Sequence, residues 1–147
     1  YPESYPNPPR GLKGGRAVGR RGATLLLFAC IDVAMGFGIL TYPGPPAGAP
    51  NAYVGHMIVM PLHYWAYAWF IAAAILFINA FRKNDRLGFA AATAIKLFWV
   101  WGYIMAAILS LSPRAWVGAI TWIGVAIWFT LISGWPEEPI ASKELKR

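Results

Sequence analysis

Four apolar runs, over 23–42, 62–81, 87–111 and 115–133, fill more than half of the 147 residues and hold only two charged side chains, Asp32 and Lys96. A bilayer core takes about 20 apolar residues to cross as a helix. Backbone polar groups in lipid must be satisfied within the segment, which helix does. A soluble bundle built from the same runs would need a polar outer stripe on each helix, and these runs have almost none. Composition points the same way. Hydrophobic residues make up 58% and charged residues 13%, against about 25% charge in an ordinary soluble domain. The reading is an all-α integral membrane protein, an antiparallel four-helix bundle or two tandem two-helix hairpins. A tail over 1–22 precedes the membrane domain at 23–133, and a second tail follows over 134–147.

The first run does not read as a signal peptide. It is longer than an ordinary apolar signal core, and three more spans follow it. The one cysteine, Cys30, excludes an intrachain disulfide. Orientation follows from the basic residues, which concentrate on cytoplasmic loops. The N-terminal tail carries Arg10, Lys13, Arg16, Arg20 and Arg21. The loop after the second run has Arg82, Lys83 and Arg86, and the C-terminal tail has Lys143, Lys146 and Arg147. The other two loops hold only Arg114. A multi-pass protein of the inner, cytoplasmic membrane with both termini in the cytoplasm is expected. The first ten residues contain four prolines, which exclude a regular helix and favour extended polyproline II. The basic residues of this tail suit anionic lipid, worth about 1 kcal/mol each near the surface. No nucleic-acid partner is expected, because no aromatic-interleaved basic sheet accompanies the charge. Gly11, Gly14 and Gly15 lack the Gly-Lys-Ser/Thr ending of a phosphate loop.

Asp32 and Lys96 stand out because a lone charge at mid-bilayer costs roughly 2.5–3.5 kcal/mol. Each lies nine residues into a span that starts on the same side, which puts both roughly 14 Å deep at the helical rise of about 1.5 Å. Equal depth on parallel helices allows an intramembrane ion pair. Its simplest role is to fix helix register, and a proton or ion pathway is the sharper alternative. Small residues at Ala29 and Gly36 in the first span, and at Gly118 and Gly124 in the fourth, offer close helix packing. Tyr42, Tyr53, Tyr64, Trp65 and Trp116 on the outer side, with Trp135 at the inner end, match an interfacial aromatic belt. Trp99, Trp101 and Trp128 fall deeper, as gap fillers or lipid-facing rings. Residues 52–60 are too few to span and read as an interfacial turn of helix, or as an extension of the second span broken at Pro61. His56 and His63 read as interfacial histidines bonded to water or backbone. No catalytic set, metal cluster or cofactor motif is present.

The halves also share a faint pattern. Arg21 precedes Asp32 much as Arg86 precedes Lys96, Gly36 and Gly102 follow the two charges, and Pro61-to-Trp65 parallels Pro113-to-Trp116. Such parallel repeats relate by an axis along the membrane normal. The stretches RRGATLLLFACIDVAMGFGIL, NDRLGFAAATAIKLFWVWG and SGWPEEP resemble segments of small four-span membrane proteins encoded by phages of actinobacteria. That resemblance implies a phage or host-membrane setting, near tail and lysis functions, and carries over no catalytic residue. The expected function is non-enzymatic: assembly as a homo-oligomer, holin-like or infection-related, or as a small subunit of a larger membrane complex. The alternative is a transport or proton-coupled subunit using Asp32 and Lys96.

Overall fold

The computed structural model describes residues 19–51, 53–82 and 84–135. Arg10, Lys13 and Arg16 of the basic tail lie outside the described residues, as do Lys83, Lys143, Lys146 and Arg147. The described chain is helical and contains no strand. Helix α1 covers Arg20–Leu40, α2 Val54–Met57, α3 Leu62–Ala80, α4 Arg86–Ile108 and α5 Ala115–Ser133. All but α2 are long and apolar enough to cross a membrane.

The boundaries have local causes. Helix α1 begins three residues before the first apolar run, because Ala23 N–H bonds the Gly19 carbonyl and Thr24 Oγ1 bonds that of Arg20. Residues 54–57 form the separate short helix α2 and do not continue into α3. Pro61, which offers no N–H and disfavours helix in the residue before it, stands between them as the N-cap of α3.

Helix α1 packs mainly on α3, and α4 mainly on α5. Helices α3 and α4 also meet, α2 lies on α4, and α1 barely touches α4. The buried residues of α1 (Gly22, Leu25, Ala29, Asp32, Gly36 and Ile39) recur at alternating steps of three and four. That period makes a narrow seam along one side of a helix. Ala29 and Gly36 lie on it, and a Cβ at Gly36 would run into the Phe70 ring at 2.7 Å. Gly118 does the same for α5 against Tyr103, at 2.8 Å. Gly124 differs from the expectation: nothing lies within 4 Å of a Cβ there, because it shares the exposed side of α5 with Ile120 and Ile127.

Away from the seams the surface is apolar. Leu27, Phe37, Ile71, Phe98, Ile108 and Ile120 are each more than half exposed. Tyr64, Trp116 and Trp135 are exposed, and Tyr42 and Tyr53 are half-buried with rings 4.9 Å apart, edge to face. Trp101 and Trp128 face outward. Trp65 corrects its reading as a belt residue. Position 65 falls on the buried seam of α3 with Trp69 and Ala72, and only 4% of it is exposed.

Candidate functional site: a buried ion pair on an aromatic column

The seams of α1 and α4 each carry one charge inward, and the structure brings the two together. Lys96 Nζ donates to Asp32 Oδ1 at 2.5 Å, and both side chains are fully buried. The pair joins two helices that otherwise scarcely meet. Rings close around the ammonium: Nζ lies 4.9 Å from the Trp69 ring centre, 5.4 Å from that of Phe129 and 5.8 Å from that of Phe28. Each ring face turned to a desolvated cation contributes about 0.5–2 kcal/mol. Phe28 and Phe129, 4.3 Å apart, also join α1 to α5. The second carboxylate oxygen, Oδ2, is buried with no hydrogen-bond partner.

From the ion pair a column of rings runs along the interior. Trp69 meets Trp99 at 5.4 Å, Trp99 meets Trp65 at 5.5 Å, and the His56 ring lies 3.9 Å from Trp99. Trp65 Nε1–H donates to the His56 carbonyl at 3.0 Å. His56 is fully buried. Its ring nitrogen bonds backbone, one of the two surroundings expected for it, and the ring is enclosed within the protein. Burial lowers its pKa from 6.5 to about 4, and the hydrogen bond to Trp99 opposes that only in part. His63 is exposed and stacks near Tyr64 and Tyr67, so the two histidines are not brought to one site. Among the described residues no group of three or more His, Cys, Asp or Glu could hold a metal ion.

A third polar contact ties the ends. Arg21 pairs with Asp85 at 2.6 Å, donates to the Trp135 carbonyl at 3.3 Å and lies 5.1 Å from the centre of the Phe89 ring. It thereby joins the start of α1, the entry to α4 and the end of α5. Arg20 takes no part in these contacts. Asp85 escaped the sequence reading although it is the acidic residue of a basic loop, a local sign of pairing. The ring cage was hidden for another reason, since Phe28, Trp69 and Phe129 are ordinary apolar residues until three helices converge.

The fold and this interior define a helical protein with four candidate membrane spans around one buried charge pair. Comparison with protein-family models, with curated proteins and with solved structures gives no match.

Proposed function

We propose that this is a non-enzymatic multi-pass protein of the cytoplasmic membrane that acts by assembling, as a homo-oligomer or as a small subunit of a larger membrane complex. One observation carries the reading. The two charged groups within the apolar runs are sealed against each other, while the outer faces of the long helices offer mostly apolar side chains. Contiguous apolar surface of that kind is rare on soluble monomers. Its natural neighbours are lipid and the helices of another membrane protein.

In this reading the long helices run antiparallel as two hairpins, α1 with α3 and α4 with α5. The Arg21 contacts, which gather helix starts and a helix end at one place, support that arrangement. Eleven of the thirteen basic residues belong to the tails and loop at that end, so it faces the cytoplasm by the positive-inside rule. Arg10, Lys13, Arg16 and Arg20 then lie where anionic headgroups are, whereas Arg21 is taken up by Asp85 and the Trp135 carbonyl. The phage resemblance gives the assembling role a form, holin-like permeabilisation or a membrane step of infection.

Native mass spectrometry after gentle extraction tests the proposal. A homo-oligomer or a co-purifying larger membrane protein is expected, and a lone monomer overturns it. A second reading, proton-coupled transport, is favoured by the partnerless Asp32 Oδ2. It requires Asp32→Asn to abolish flux in a chain that still inserts.

A further inference from the structure

The connection between α1 and α3 packs on α4 and is hydrogen-bonded to it by the His56 side chain. His56 Nε2 lies 2.9 Å from the Trp99 carbonyl oxygen. A carbonyl only accepts, so Nε2 carries the proton and donates it, and in the neutral ring Nδ1 is a bare acceptor. Nδ1 is buried and has no hydrogen-bond partner. Trp99 covers one face of the ring, tilted by 35°, and Trp65, Tyr103 and Tyr53 meet it at 5.8, 4.9 and 6.1 Å. Two glycines make the seat. A Cβ at Gly102 would run into the imidazole, and one at Gly55 would run into the Gly102 carbonyl oxygen. Side chains at either position would lift α2 off α4.

We propose that His56 is a proton-sensitive latch: neutral, it docks residues 53–60 on α4, and protonated, it releases them and uncovers the aromatic floor formed by Trp99 and Tyr103.

The chemistry follows from the second proton. It goes to Nδ1, turns that acceptor into a donor with nothing to receive its hydrogen bond, and places a cation in a desolvated nest. The titratable groups facing the ring are Tyr53 from its own segment and Tyr103 from α4. Helix α3 contributes Trp65, which does not titrate. Burial and the neighbouring Tyr42 push the Tyr53 hydroxyl above its ordinary value of 10.0, so it supplies no negative charge in acid. The docked imidazole is held near 4 against 6.5 in a released one. A depressed histidine stabilises the docked form fully above 6.5 and progressively less as pH falls toward 4. Between those values the equilibrium moves toward release by about tenfold per pH unit.

Hydrogen exchange on the full chain in nanodiscs, from about pH 7.5 to about pH 4 and corrected for intrinsic rates, reads the latch. Opening of 53–60 should rise about tenfold per unit below 6.5 while α3 and α4 keep their protection. His56→Gln, which retains an N–H for the Trp99 carbonyl and cannot titrate, should remove the pH dependence. His63→Gln should retain it. The same rise in His56→Gln, or a flat wild-type profile, overturns the proposal. Should His56→Gln fail to fold, nitrogen NMR of the wild-type imidazole decides. Protonation coincident with loss of protection at 53–60 supports the latch, and protonation with protection intact overturns it.

Discussion

Removing one partner of the Asp32–Lys96 pair strands the other charge in a dry interior. Such a deletion costs about 3–5 kcal/mol, whereas replacing both partners with apolar residues of similar volume is often close to neutral. Lys96→Met is therefore expected to destabilise the chain strongly. Asp32→Leu combined with Lys96→Met should recover most of that loss, as read by unfolding in detergent. Asp32→Asn should be milder than Lys96→Met, because the amide oxygen still accepts from Lys96 and leaves the ring cage filled. A double variant as unstable as either single one would show that the pair contributes net attraction and not merely mutual neutralisation. Gly102→Ala is a separate case. Its Cβ would displace the His56 ring, and overpacking of this sort costs about 1–3 kcal/mol. The same instrument should find that loss in Gly102→Ala and almost none in Gly38→Ala, where a Cβ meets nothing.

The end of α4 shows how an element can be closed by a residue unsuited to it. Leu111 N–H bonds the Ala106 carbonyl at 2.9 Å and Ser110 N–H bonds that of Ala107 at 3.1 Å, the paired bonds of a Schellman ending. The residue just before Leu111 is Ser110, at φ 54°, where an L side chain costs about 1–2 kcal/mol and glycine almost nothing. Ser110→Gly should raise the thermal midpoint and Ser110→Val should lower it. The opposite order would mean that this ending is not kept in the folded chain. The long helices themselves were legible from their apolar length, because each run is unbroken by proline and long enough for a helix of about 20 residues. The pairing of Asp32 with Lys96 was legible too, since helical rise is fixed and each lies nine residues into its apolar run. The seat of His56 was not legible. It depends on Gly55 meeting Gly102 across two elements and on a short helix that Pro61 separates from α3. Nor was the inward turn of Trp65, because the apolar character of α3 runs around the whole helix and leaves its buried side unmarked.

At the scale of the whole molecule, the contacts divide the chain into two halves. Helix α1 rests mainly on α3 and α4 mainly on α5, while α1 and α4 meet at few points, among them Asp32 with Lys96 and Arg21 with Phe89. The halves are also joined by the α3–α4 contact, by α2 on α4 with its His56–Trp99 hydrogen bond, by the Phe28–Phe129 rings and by the Arg21–Asp85 pair. These links differ in kind. Arg21 and Asp85 keep 19% and 15% of their side-chain surface exposed, so a charge left there by its partner still reaches water. The fully buried pair is worth far more once one partner is missing. Cutting the chain in the loop between α3 and α4 separates the halves without breaking a helix. Fragments 1–84 and 85–147, expressed together, should therefore co-purify in equimolar amounts. Arg21→Ala in the first fragment should weaken their association slightly, and Lys96→Met in the second should nearly abolish it. Restoring neutrality with Asp32→Leu in the first fragment should bring the association back. If Lys96→Met leaves it unchanged, the ring contacts and the α3–α4 interface hold the halves together. The buried charges would then be free for a task other than holding them, which is the condition the transport reading needs.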